Sequence, residues 1–227
     1  MAAEYCCASC KTPFINRFPL NEQGLCGLCR RGFTPFDAAY SFGSYEDELR
    51  KLIHLFKYGR IETLAGPLGR FMITALPREL SFDAIVPMPL HWKKLWRRGF
   101  NQSELLAAAV SRRWNVPLKR LVRRIRATPV QAGLTSAKRR VNVSGAFRAK
   151  SGVAGLKVLL VDDVLTTGAT AGACASALKR AGAARVTLLT LARADRRLSV
   201  PVLRDTVSVP DSTTFGSLND AKPGSIA

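Results

Sequence analysis

No apolar run in this chain approaches the roughly 20 residues that a membrane-spanning helix requires. Residues 1–20 also lack the apolar segment of a signal peptide, so a cytoplasmic location is the expectation. Acidic residues are scarce, 16 against 35 basic ones, which gives a formal charge of +19. Such a field attracts polyanions, and both nucleic acid and a small polyphosphorylated molecule qualify. A genome rich in G and C also enriches Arg, Ala and Gly, so charge alone does not choose between them. Large apolar residues run out after Asp195, where Ser, Thr, Pro, Asp and Gly dominate. Residues 196–227 are therefore expected to be a largely disordered tail, in which 200–209 can add one edge strand.

What is present is enough for one good core. The chain has 227 residues and a 47% apolar fraction, room for a single α/β domain plus a small appendage.

The stretch 158–170, V-L-L-V-D-D-V-L-T-T-G-A-T, organises the rest. Residues 158–161 read as a strand buried on both faces. Two adjacent carboxylates follow, Asp162 and Asp163, and then a turn rich in hydroxyls with Thr166, Thr167, Gly168 and Thr170. From Ala169 the chain is Ala-rich and helix-forming until Gly182, which is placed as a C-terminal cap. A helix start with free N–H groups suits a phosphate, and Gly168 lets the backbone approach it. Carboxylates repel phosphate, so the acidic pair must serve sugar hydroxyls, or a magnesium bound to them. A ribose with a 5-phosphate fits both halves. The string resembles the phosphoribosyl-pyrophosphate (PRPP) motif of type I phosphoribosyltransferases at every position.

Four cysteines near the start form a second signature. Cys7-x2-Cys10, then fifteen residues, then Cys26-x2-Cys29 is the spacing of a four-thiolate zinc site. Such a site is closed and structural. Cys6 is an alternative to Cys7 by a one-residue slip, though the spacing favours Cys7. Cys174 reads as a small core residue. Residues 1–35 have few apolar side chains of their own, so metal is expected to hold them together, and its removal to unfold this segment alone.

Residues 38–44 alternate loosely and can be a strand. Residues 45–58 form an amphipathic helix, with acids early, Lys57 late and Gly59 as its stop. A second helix over 62–74 is interrupted or kinked by Pro67. The first core strand is expected at 82–87. After it, Met88, Pro89, Leu90 and His91 form a loop suited to pyrophosphate. Arg98 to Gln102 (R-G-F-N-Q) leads into a clear helix, capped by Asn101 or by Ser103.

In this order the pieces resemble the ComF family. They are the four-cysteine module, Ile53-His54 with Lys57-Tyr58, P-M-P-L-H at 87–91, R-G-F-N-Q, Gln131 with Arg139 and Asn142, and the PRPP motif. The resemblance covers about 7–193, and the family ends near that point, so the tail has no assigned role. It implies a parallel sheet of the type I phosphoribosyltransferase kind over 36–195, behind a zinc module at 1–35.

The basic stretch 114–127 has two open readings: a solvated face with an apolar stripe of Leu118, Leu121, Val122 and Ile125, or a rim that steers PRPP or a nucleic-acid strand. Residues 128–147 are either a surface hairpin or the mobile lid that such enzymes close over PRPP, with Lys138, Arg139 and Arg140 supplying charge.

The expected site follows from the resemblance. Asp162 and Asp163 take the ribose, and Arg139 and Arg140 act on the leaving pyrophosphate; these four would carry catalysis. Thr166, Thr167, Gly168, Ala169 and Thr170 hold the 5-phosphate. Met88, Pro89, Leu90, His91, Arg98, Asn101 and Gln102 complete the pocket. Magnesium accompanies PRPP, and zinc sits on Cys7, Cys10, Cys26 and Cys29. The activity implied is transfer of phosphoribosyl to an acceptor that the residues do not identify, and no general base is evident. The alternative is a non-catalytic PRPP- or nucleotide-binding protein that handles single-stranded DNA beside the DNA-uptake machinery.

Overall fold

The computed structural model describes residues 5–9, 13–14, 17, 20–26, 29–31, 35–126, 143 and 145–193. A short ribbon, β1 (Tyr5–Cys6) and β2 (Pro13–Phe14), precedes the main sheet. The sheet contains β3 (Ala38–Ser44), β4 (Ala84–Pro87), β7 (Lys157–Leu165) and β8 (Arg185–Arg193). Between β4 and β7 lies a second ribbon, β5 (Val122–Arg124) and β6 (Phe147–Ala149), paired antiparallel. The helices are α1 (Asp47–Tyr58), α2 (Ala65–Thr74), α3 (Trp92–Arg98), α4 (Gln102–Trp114) and α5 (Ala169–Arg180).

The sheet order is β3-β8-β7-β4, and each neighbouring pair is parallel. This is the expected α/β fold. All four carboxyl ends therefore point the same way, and β4 and β7 bring Pro87 level with Val161. Residues 38–44, read only loosely as a strand, belong to the sheet itself, so the first core strand is β3 rather than 82–87.

Both faces are covered, which is why β7 opens as an unbroken apolar run. Its side chains alternate between two cores. Val158 and Leu160 pack with Cys174, Ala175 and Leu178 of α5, and Leu159 and Val161 pack with Leu106 and Val110 of α4 and Met72 of α2. Truncating one of these fully buried leucines to Ala costs about 2–5 kcal/mol. Gly69 permits the close crossing of α2 on α4, because a Cβ there would lie 2.5 Å from that of Ala109.

Three local expectations change. Strand β7 does not stop at Val161 but continues through the acidic pair to Leu165, because β8 keeps pairing with it as far as Arg193. Pro67 does not interrupt a helix over 62–74. A 3₁₀ turn covers Glu62–Leu64, and Pro67 sits in the first turn of α2, where its missing N–H removes no bond. The basic stretch 114–127 carries no single apolar stripe. Asn115 ends α4 in the left-handed conformation, Leu118 bridges to Ile85, and Val122 enters β5. Gly182, at φ 89°, follows the end of α5 as expected.

No described helix is long and apolar enough to cross a membrane.

Candidate functional site

At the carboxyl ends of β4 and β7 lies a cleft of about 200 Å³. Its floor is the acidic pair. Its walls are the turn into α5, the loop after β4, and single side chains from α1, α3, α4, β5 and β8.

The two carboxylates have different surroundings. Asp163 is paired with Lys57 of α1, with Oδ2 2.9 Å from Nζ. Asp162 accepts from the hydroxyl of Ser103 at 2.9 Å and from the backbone N–H of Asp163 at 3.0 Å. Burial pushes the Asp162 carboxyl up to about 7, and the neighbouring charge of Asp163 adds to the rise. The Ser103 and Asp163 N–H donors and the nearby Lys57 pull it back only in part. Arg124 of β5 faces the same cleft, with its Cζ 5.4 Å from the centre of the Phe147 ring, within reach of a cation–π contact. Burial lowers its pKa, and the charge of Asp162 works against that. Cys174, fully buried nearby, is raised by burial and then by Asp162, so it is an inert thiol packed in the core.

The opposite side of the cleft is built for an anion. Gly168 caps α5 with φ 72°, a conformation in which a side chain would be strained. Thr166, Gly168 and Thr170 line the cleft at the start of this twelve-residue helix. Thr167 turns back, its Oγ1 accepting from Ala169 N at 3.5 Å.

The loop after β4 is fixed through both backbone polar groups of one residue, Met88. Met88 N donates to Val161 O at 2.8 Å, and Met88 O accepts from Asn101 Nδ2 at 3.1 Å. Met88, Pro89 and Leu90 line the cleft. His91 is buried and caps α3, its Nδ1 accepting from Lys93 N at 3.3 Å.

The R-G-F-N-Q segment ties the walls together. Arg98 lines the cleft and lies over the Tyr58 ring at 5.3 Å. Gly99 turns the chain at φ 84°, and Phe100 packs on Phe56 with ring centroids 5.9 Å apart. Asn101, and not Ser103, caps α4, accepting from Ser103 N at 3.2 Å. Gln102 accepts from Arg98 Nη1 at 3.1 Å and donates to the Lys57 carbonyl at 3.5 Å. Of the residues expected in the site, His91, Asn101, Gln102, Thr167 and Ala169 do not line the cleft, and the first three hydrogen-bond to its neighbouring elements.

Seven lining residues were not among the expected set: the polar Lys57, Ser103, Arg124 and Thr190, and the apolar Val164, Leu165 and Ala171. Lys57 stood inside the family pattern, so a signal for it existed. Ser103 showed only as a possible cap, and Arg124 and Thr190 had no local signal. Arg139 and Arg140, with Gln131, Lys138 and Asn142, lie outside the described residues.

Away from the cleft, Cys7, Cys26 and Cys29 bring their sulfurs within 4.8 Å of one another. Thiolates around tetrahedral zinc are about 3.8 Å apart, given Zn–S bonds near 2.3 Å, so the three fit one ion. Cys6 is exposed, which leaves Cys7 as the inward partner. Cys10 lies outside the described residues.

The Phosphoribosyl transferase domain model matches residues 101–216, a span that contains the acidic pair and the turn into α5. DNA utilization protein YhgH of Salmonella typhi is 35% identical over 181 residues, covering 74% of this chain and 77% of that protein. Competence protein F of Haemophilus influenzae is 34% identical over 179 residues, covering 74% and 78%.

The chain belongs to the ComF family. The match to the domain model reaches residue 216, past the point near Arg193 where the resemblance was expected to end. Among solved structures, the glutamine PRPP amidotransferase from B. subtilis superposes with a TM-score of 0.40 and 19% identity, over 56% of this chain and 26% of that one. A likeness that weak carries no argument, and the ComF assignment rests on the sequence relatives and the domain match.

Proposed function

We propose that this ComF protein binds PRPP in the β4–β7 cleft and transfers its phosphoribosyl group to an acceptor, releasing pyrophosphate. One observation carries the reading. A pair of carboxylates and a glycine-capped helix start face each other across a single cleft at the carboxyl edge of a parallel sheet. Sugar hydroxyls answer the first and a phosphate the second.

In this reading Thr166, Gly168 and Thr170 hold the 5-phosphate. Asp162 and Asp163 accept from the ribose hydroxyls. Arg98 and the backbone of Met88 to Leu90 face the pyrophosphate, joined by Arg139 and Arg140. Magnesium, carried in with PRPP, would supply positive charge to the leaving group. Substitution at the anomeric carbon passes through a state with oxocarbenium character. The protein's part is to orient the sugar, exclude water and stabilise the departing charge. Zinc on Cys7, Cys10, Cys26 and Cys29 would be structural.

The relatives are named for DNA utilization and for competence, and this chain is proposed to act in the same setting, handling DNA that enters the cell. A protein that binds PRPP but releases no pyrophosphate would fit a non-catalytic role there.

Calorimetric titration with PRPP and with ribose 5-phosphate, each with magnesium, tests the binding step. Tighter binding of PRPP supports the reading, and equal or absent binding of both contradicts it. Pyrophosphate release during a screen of acceptors then decides between transfer and binding alone.

A further inference from the structure

Helix α3 is unlike the other helices of the fold. Helices α1 and α4 bury Ile53 and Phe56, and Leu106 and Val110. Helix α3, W-K-K-L-W-R-R, leaves its apolar residues in solvent: Trp96 is 88% exposed, Trp92 66% and Leu95 41%. Two exposed indoles on one seven-residue helix have no role in the core, and a helix that leaves its apolar side chains this exposed needs a partner to account for them. The segment 88–103 also contains no acidic residue, so that partner is anionic.

The opposite bank of the cleft carries a second oddity. Arg123 and Arg148 stand directly across from each other in the β5–β6 ribbon, both exposed. Like charges in register repel, and neither has an ion-pair partner among the described residues. Their neighbour Arg124 lines the cleft, as does Arg98 of α3. The two banks therefore flank one opening.

We propose that α3 and the β5–β6 ribbon form a track for single-stranded nucleic acid, with Trp92 and Trp96 as its stacking platform. The ligand must combine flat apolar rings with regularly spaced anions, which a strand does. The indoles are four residues apart on the helix, about 6 Å along its axis. That fits successive bases of a strand drawn out beyond its stacked spacing of about 3.4 Å. Base–indole stacking and cation contacts are the usual means of holding a strand without reading its sequence. Lys93 Nζ already lies 5.5 Å from the Trp92 ring centre, placed for a phosphate beside a stacked base. A flat anionic bilayer would meet the Trp face but not the arginines across the opening. The inference rests on the phosphoribosyl reading for one point, that the cleft between the banks suits a sugar phosphate.

The test uses the full chain with its metal and a fluorescent oligothymidylate of roughly 15 nucleotides, near the upper site size of such surfaces. Trp92→Ala with Trp96→Ala should weaken binding at least tenfold, while Trp92→Phe with Trp96→Phe stays within about threefold of native. Arg123→Ser with Arg148→Ser should lower the slope of log affinity against log salt by about 1.4, or 0.7 per phosphate lost. PRPP affinity, measured in the same variants, should not change, which also shows that they fold. Native affinity for the strand in the double-alanine variant would overturn the proposal. So would capture of the native protein by phosphatidylglycerol vesicles, lost in that variant, with strand binding intact. Strand binding on Trp92 and Trp96 without any PRPP binding would uphold this inference and sink the phosphoribosyl reading.

Discussion

Lys57 Nζ lies 2.9 Å from Asp163 Oδ2, and both side chains are largely withdrawn from water, at 15% and 14% exposure. Asp162, the neighbouring carboxylate, has Ser103 instead of a cation at hydrogen-bond distance. One acidic pair thus has two environments, set by side chains from α1 and α4.

Replacing Lys57 by Met strands a mostly buried carboxylate. The expected cost is roughly 2–4 kcal/mol of stability, because the desolvated charge loses its partner. Adding Asp163→Asn should recover part of that loss. Denaturant unfolding of the two single variants and the double variant measures the coupling, and strictly additive effects would show that the pair is not an energetic unit.

The raised pKa of Asp162 has a consequence for pH. Its folded value, about 7, lies above the ordinary 3.8, so between these limits the folded chain holds a proton that the unfolded chain has released. The contribution of this group to stability is fully present below pH 3.8 and is lost as pH rises towards 7. Ligand hydroxyls prefer the ionised carboxylate, so PRPP affinity should climb over the same range and level off above it. Titrations across that range in native protein and in Ser103→Ala measure this. Removing Ser103 takes away a donor to the carboxylate and should move the rise to higher pH. An unmoved profile would mean that another group controls it.

Asn101 separates capping from site geometry. Its Oδ1 caps α4 while its Nδ2 holds the Met88 carbonyl. Asn101→Asp keeps the cap and loses the donor, so stability should stay near native while PRPP binding weakens. Asn101→Ala should lose both, with about 1 kcal/mol of stability from the cap. Equal PRPP affinity in all three proteins would remove Asn101 from the site's support.

The cysteine corner is not packed as an isolated appendage. Cys7 and Cys26 share one apolar cluster with Phe36, Ala39 and Val186. Chelating the metal should therefore lower the main thermal transition, with zinc release followed by a colorimetric dye. Unfolding of residues 1–35 alone, with the main transition unmoved, would restore the expectation from composition.

How much of this was legible in the sequence depends on distance along the chain. The PRPP motif was readable because its parts are contiguous: a strand, two acids, a hydroxyl turn and a helix start within 158–170. The continuation of β7 to Leu165 was not, since D-D-V-L-T-T has the residues of a turn and only pairing with β8 keeps it extended. Pro67 misled because a proline marks either a break or a first turn, and the preceding 3₁₀ turn decides which. Ser103 reaches Asp162 across 59 residues, a contact that local periodicity does not encode. The R-G-F-N-Q segment was recognisable as a signature, but its work of joining α1, α3 and the Met88 loop needed the fold.

Asp162 and Asp163 are proposed to hold the ribose of PRPP. Calorimetry with PRPP and magnesium, on native protein and on the Asp162→Asn, Asp163→Asn double variant, tests it most directly. Saturable binding to the native chain is expected, with a loss of at least tenfold in the variant and its fold intact by thermal unfolding. Equal affinity in the two proteins, or no binding to the native one, would contradict it.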